Sequence, residues 1–491
     1  MIRIWRRFGV VALAATLSLA LYAVTLAPDL TWSHWGADGG DFVTAALTGR
    51  VPHPPGAPVY MLLADIFVRL PWGTPAWRLN LLSAVMGAGA VTGVTATLLR
   101  STRESGAALV AGLALACAPL FWSQALITEV TTTAAFFAAW ALFLAAGPAP
   151  GEDSPGRALA AGLVWGLGVA VHPILVFLAP VLGGRWRGKA RGLLVAGFFS
   201  GLLPYVLLPL RGTWPQPWAD MSSLAGWWDF VSARLYQGYV LGLPWAAWPR
   251  RGLAAATLLA RQFTPVGALL ALWGGYCLWE RKPRVAVGMA LAVIGVGFYA
   301  VGYNTADSLV YFVPFLPLAA LWLGEGLAGS FCGSVRRPAT AKGGAFCGSV
   351  RRPATAKGGS FCGSVSVSFG RKAQMRPATA REVAGRGIPA AVWLLLPALS
   401  LLWHWPALDL SHDWTARRWL ERTLAEAPPD AVLVTSQDAH TFALWYAQAG
   451  LWLRPDVSVV DRDLWGEEVS PEEWAEGRPW CYVEAESLVC P

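Results

Sequence analysis

Charged residues are scarce in this chain: 14% are Asp, Glu, Lys or Arg, while 55% are hydrophobic. A soluble globular protein carries about 25% charged residues, so the composition excludes a water-soluble domain and indicates a polytopic membrane protein. Metal-ligand spacing is missing as well. The seven cysteines include no CxxC and no Cys/His pairing at zinc-site intervals, so no metal is expected. Inverted repeats and carboxylates at the middle of a span would mark a secondary transporter, and neither stands out. The net charge of +8 does not make a nucleic-acid protein, because of where it lies. Residues 329–387 hold eleven Lys/Arg and one Glu, whereas residues 406–491 hold six Arg against sixteen Asp/Glu. These blocks cancel, leaving the surplus to the membrane part, where positive charge sets topology.

What is present is apolar length. The N-terminus has a basic stretch and an apolar run from Phe8 to about Ala27. A cleaved signal peptide would begin similarly, but the run is near the ~20 residues that span a bilayer, and further runs follow. It reads as an uncleaved first helix. Other apolar segments lie near 79–99, 105–122, 129–146, 158–172, 173–184, 190–210, 263–279, 285–303, 309–328 and 388–405, with His172-Pro173 breaking one pair. The expectation is an α-helical polytopic membrane protein of about eleven transmembrane helices. With the N-terminus inside, the connections Arg100–Arg103, Arg185–Arg191, Glu280–Arg284 and 329–387 are basic and cytoplasmic, and the C-terminus lies outside. The 28 tryptophans suit the two membrane interfaces.

Four regions follow: a membrane domain over 1–328 with an outer loop at 28–78, a basic insert at 329–387, a last span at 388–405, and an acidic region at 406–491. The insert carries FCGSVRRPATAKGG twice and then FCGSV, placing Cys332, Cys347 and Cys362 at a fifteen-residue interval. Its Gly, Ser, Pro and Arg content cannot bury a core, so it reads as a disordered cytoplasmic linker. In the acidic region 413–427 and 440–450 have helical spacing, while 431–436 and 457–461 read as strands, predicting a small α/β unit. Asp438 and His440 follow a strand end, where sites often occur, although capping or surface roles are the plainer reading. Cys481 and Cys490 are close enough in sequence to pair in an oxidising compartment.

Candidate chemistry concentrates in GADGGDFVTAALTGRVPHPPGAPVY at 36–60, directly after the first helix. Ionisable groups beside hydrocarbon are expensive and mark function. Asp38 and Asp41 are therefore candidate general bases, with helix capping of Phe42–Leu47 the alternative for Asp41. His53, in a rigid Pro-rich turn, is a candidate for binding substrate or phosphate. Arg78, Asn80, Glu129, His172, Arg211, Asp307 and Tyr311 also fall at outer ends of spans, so the polar signals gather on one face.

These blocks resemble a known family, that of the domain of unknown function 2723, which includes the protein O-mannosyltransferase-like glycosyltransferase family 117. The family pattern is an Asp-Ser-Gly-Glu-Phe-like element and then a His-Pro-Pro-Gly-Tyr-Pro-like turn, matched here by DGGDF (38–42) and HPPGAP (53–58). RLNLLSA (78–84), SQALITEV (123–130), GLGVAVHP (166–173), LPLRG (208–212), YNTADSLVYF (303–312), DAVLVTSQDAHTFALWY (430–446) and RPDVSVVDRDLW (454–465) are similar too. The resemblance implies a GT-C-like fold and an integral plasma-membrane enzyme. It would move a sugar, mannose by family, from a polyprenyl-phosphate donor to a protein or lipid hydroxyl outside the cell. Membrane lipids are then its surroundings, nucleic acid is no partner, and no cofactor is implied beyond the lipid-linked sugar substrate. By position Asp38 or Asp41 serves as the base, His53 matches the family His, and Arg78 or Arg211 stabilises the departing phosphate. The chain departs from the pattern at Asp41, where Glu is usual, and at Ala57, where Tyr is usual. The alternatives are a transporter or flippase, and a catalytically degenerate GT-C scaffold.

Overall fold

The computed structural model describes residues 2–147, 154–212, 218, 220–332, 389–465, 470–484 and 487–491. Apart from Phe331 and Cys332, which end the last helix before them, the fifteen-residue repeats lie outside the described residues. Helix α1 (Ile2–Thr25) leads into a 3-10 turn (Ser33–Asp38) and the short helices α2 (Gly39–Thr48) and α3 (Pro58–Phe67). Thr74 caps α4 (Pro75–Ser101) by accepting from the Trp77 amide at 3.2 Å, with Pro75 at its first position. The bundle continues with α5 (Ser105–Ala116), α6 (Pro119–Gln124), α7 (Thr131–Ala145) and α8 (Pro155–Val169). A 3-10 turn (Pro173–Leu178) precedes α9 (Ala179–Arg185) and α10 (Gly188–Gly201). Helix α11 (Leu224–Val231) lies in the second long connection, before α12 (Trp248–Ala260), α13 (Thr264–Arg281), α14 (Pro283–Gly302) and α15 (Leu316–Cys332). Helices α16 (Ala390–Trp393) and α17 (Leu395–Leu408) complete the apolar part.

All eleven expected apolar segments contain helix, but they are not eleven full-length spans. Among the described residues six helical stretches are long and apolar enough to cross a bilayer, or seven if α12 and α13, bent by 94° at their junction, count as one. The remaining four segments are shorter: α7 runs unbroken for 15 residues, and proline interrupts or bounds the other three. Ala118-Pro119 separates α5 from α6, and His172-Pro173 separates α8 from the turn before α9. Proline removes a helical donor and biases the preceding residue out of the helical region.

Small residues let the helices approach. A Cβ on Gly162 or Gly166 of α8 would strike the α10 backbone at Leu194 or Phe198, and one on Gly197 or Gly201 would strike α8 at Leu159 or Leu163. Gly274 of α13 and Gly326 of α15 meet the opposing backbones in the same way. Lipid offers no hydrophobic drive between helices, so close backbone packing of this kind supplies the attraction.

The C-terminal unit comprises α18 (Thr415–Glu426), β1 (Val432–Thr435), α19 (Asp438–Leu451), β2 (Ser458–Asp461), α20 (Arg462–Trp465), α21 (Pro471–Ala475), β3 (Trp480–Val483) and β4 (Leu488–Val489). The sheet order is β2-β1-β3-β4, with β1 parallel to both neighbours and β4 antiparallel to β3. Cys481 and Cys490 form a disulfide. The unit is fastened to the loop after α1. Buried Asp29 accepts from Tyr446 Oη at 2.6 Å and pairs with Arg417 at 3.3 Å, and Asp413 accepts from Thr31 Oγ1 and Ser33 Oγ at 2.5 and 2.8 Å.

Candidate active site

The loop between α1 and α4 and the first turn of α19 close over a cavity of about 730 Å³. Six of the ten residues singled out in the sequence line it: Asp38, His53, Glu129, His172, Asp307 and Tyr311. They come from five separated stretches of chain, brought together by the bundle. Asp41, Arg78, Asn80 and Arg211 do not line the cavity.

Asp38 ends the 3-10 turn and leads into α2, where Asp41 follows. Over this short distance the surroundings invert. Asp38 keeps 38% of its side chain open, whereas Asp41 keeps 3%. Asp41 Oδ2 accepts from the His53 backbone amide at 2.7 Å and meets His53 Nδ1 at 2.8 Å. His53 Nε2 is then turned to within 3.8 Å of Asp38 Oδ2. A carboxylate on Nδ1 fixes the ring orientation and favours its cation. Burial alone would lower the His53 pKa, but Asp38 and Asp41 outweigh it and raise the value to about 9. Although partly open, Asp38 sits deep in the recess, so burial raises its carboxyl above the ordinary range; His53 offsets this and Asp307 and Asp41 add to it. His53 is therefore the cation of this corner and Asp38 the carboxylate that faces the cavity.

The opposite wall is aromatic and polar. His172 Nδ1 accepts from the Ile174 amide at 3.2 Å, and its ring lies 5.4 Å from that of Tyr311. Buried Glu129 accepts from the Val130 amide at 3.2 Å. Among the described residues no Lys or Arg lines the cavity.

The expected phosphate-binding arginines are engaged elsewhere. Arg78 donates to the carbonyls of Val68, Trp72 and Gly73 at 2.6, 3.0 and 3.1 Å, tying α4 to the turn after α3. Arg211 forks onto Asp65 at 2.7 and 3.0 Å and donates to the Arg50 carbonyl at 2.9 Å. Asn80 donates to the Ala27 and Asp29 carbonyls and accepts from Thr128 Oγ1 at 2.7 Å, a buried clamp rather than a ligand contact. Asp65 falls within a helical apolar run and gave no sign that it would neutralise Arg211.

Asp438, for which a capping or surface role is the plainer sequence reading, is exposed and also borders the cavity. It begins α19 and lines the cavity with Phe442. Burial, followed by Asp38, raises its pKa to about 6. His440, its neighbour in the sequence reading, instead packs parallel to Trp419 at 4.6 Å.

The bundle of apolar helices, the acidic first loop over a cavity and the appended α/β unit together define a helical membrane protein. ArnT from Cupriavidus metallidurans, solved bound to undecaprenyl phosphate, matches with a TM-score of 0.56 at 14% identity, over 96% of this chain and 92% of that one, a likeness of fold. In sequence, residues 38–184 match the family description Protein O-mannosyl-transferase TMEM260 N-terminal domain. The chain is 26% identical to Protein O-mannosyl-transferase TMEM260 of Mus musculus over 93% of its own length. It is also 27% identical to the Dictyostelium discoideum protein of that name, over 25% of its length. The chain covers 63% of the mouse relative and 15% of the Dictyostelium one.

Proposed function

We propose that this protein is a membrane glycosyltransferase that moves a sugar, mannose in the first instance, from a polyprenyl phosphate to a hydroxyl of a protein or lipid acceptor at the extracytoplasmic face. Asp38 carries the proposal: a cavity-facing carboxylate, with no hydrogen bond to protein among the described residues, beside a fixed histidine cation. The names of the relatives and the undecaprenyl phosphate bound to ArnT support the reaction class and the donor.

In this reading the acceptor hydroxyl loses its proton to Asp38, and its oxygen attacks the anomeric carbon. The bond from that carbon to the phosphate oxygen breaks, and its electron pair leaves with the polyprenyl phosphate. Transfer from opposite sides inverts the anomeric centre. A carboxylate suits the base role because its value need only be matched to the working pH. Asp41 acts through His53, holding the imidazolium against the negative charge of the site. The lipid tail of the donor stays in the bilayer, with the N-terminus cytoplasmic and the C-terminal unit outside.

The test is transfer from undecaprenyl phosphomannose to a hydroxyl acceptor by membranes containing the wild type or Asp38→Asn. The reading expects transfer by the wild type and a loss of about 10²- to 10⁴-fold in the variant. Full activity in Asp38→Asn contradicts it.

A further inference from the structure

The acidic C-terminal unit reaches into the cavity rather than standing apart from it. Asp438 and Phe442 lie one helical turn apart on the same face of α19, and both line the cavity. Three contacts fix that face. Trp32 Nε1 donates to the Ala439 carbonyl at 3.1 Å. Gly40 of α2 backs directly on the Phe442 carbonyl, leaving no room for a Cβ. The Phe442 ring lies nearly parallel to His53, at 6.4 Å and 12°.

Held this way, the Asp438 carboxyl has no structural task. It receives no hydrogen bond and forms no ion pair among the described residues. It makes no capping bond for α19, whose cap position is Gln437. Its charged neighbours are Asp38, Asp41, Asp461 and His53, and three of these four are acids that oppose its ionisation. The side chain is exposed, so water satisfies it, and a ligand that replaces that water must donate hydrogen bonds without bringing negative charge. A phosphate fails that condition, and the acceptor hydroxyl is the business of Asp38. Sugar hydroxyls meet it, and the aromatic face of Phe442 borders the same wall.

We infer that Asp438, supplied by the C-terminal unit, is a further binding residue of the cavity and takes hydroxyls of the donor sugar. This rests on the glycosyl-transfer reading and completes it: the membrane part presents the base and the lipid, and the C-terminal unit presents a sugar contact. The carboxyl donates and accepts no covalent bond, so the role is recognition.

The experiment is donor binding to the detergent-solubilised full chain in the Asp38→Asn background, with and without Asp438→Asn. The probes are undecaprenyl phosphomannose and undecaprenyl phosphate, and thermal unfolding of each variant checks the fold. Losing a hydrogen bond to a charged group weakens binding by roughly 10- to 100-fold. The expected result is a loss of that size for the mannosyl lipid and no change for the bare phosphate lipid. Equal binding of the mannosyl lipid with and without Asp438→Asn overturns the inference, and so does an equal loss for both lipids. The glycosyl-transfer reading fails separately, through undiminished turnover by Asp38→Asn.

Discussion

At the scale of single residues, the start of α2 sends one carboxylate to the cavity and the next inward onto His53. Under the proposed mechanism Asp38→Asn removes the base, whereas Asp41→Asn removes the partner that holds His53. The two variants therefore differ in pH dependence. His53 has a folded value of about 9, above its ordinary 6.5. Its protonation therefore stabilises the fold in full below about pH 6.5, and the contribution fades as pH rises through about 9. Besides Asp38 and Asp41, Glu129 faces it from the loop before α7 and favours the cation, while His172 opposes it. Wild-type kcat/KM should fall on its alkaline side near pH 9, and Asp41→Asn should move that fall to lower pH. Thermal unfolding across pH 6–10 should show the same shift. An unchanged alkaline limb in Asp41→Asn contradicts the positioning role. Asp38 and His53 were legible in the sequence because acids and histidine beside an apolar helix are costly. The roles of Asp41, Arg78 and Arg211 were not, since each is fixed by a partner distant in sequence or by backbone carbonyls that a composition pattern does not register.

At the scale of elements, the apolar runs gave the helices but not their lengths. Proline at 119 and 173 divides continuous hydrophobicity into short pieces, which hydropathy alone does not weigh. In the C-terminal unit the longer helices and the first two strands follow from their spacing. Strands β3 and β4, of four and two residues, exist through pairing with β1 and with each other, and their sequences show no period. Helices α8 and α10 meet through glycines, and Gly162→Leu would force them apart. Overpacking costs about 1–3 kcal/mol, so this variant should unfold in detergent at lower temperature. Gly184→Ala, where a Cβ meets nothing within 4 Å, should leave the midpoint unchanged. Equal midpoints for Gly162→Leu and the wild type would contradict the close α8–α10 contact.

At the scale of the whole molecule, buried Asp29 joins the membrane part to the C-terminal unit through Tyr446, Arg417 and Thr74. Asp29→Ala removes the carboxylate that accepts from Tyr446 and one of the two acids on Arg417, which keeps Glu421, and losing a hydrogen bond to a charged group costs about 1.5–3 kcal/mol. The variant should release the unit to limited proteolysis at temperatures where the wild type resists; equal resistance contradicts the fastening role. The disulfide between Cys481 and Cys490 belongs to an oxidising compartment, in line with the proposed outer location. Non-reducing peptide mapping of protein taken from membranes with alkylation should find these two cysteines linked; finding both as free thiols contradicts an outer C-terminus.

Glycosyl transfer from a lipid donor at Asp38 remains the central claim, and one assay addresses it most directly. Membranes bearing the wild type or Asp38→Asn are supplied with radiolabelled undecaprenyl phosphomannose and a hydroxyl acceptor, and acceptor-bound label is counted. The account predicts label with the wild type and about 10²- to 10⁴-fold less with Asp38→Asn. Equal labelling by the two proteins, or none above empty membranes with the wild type, contradicts it.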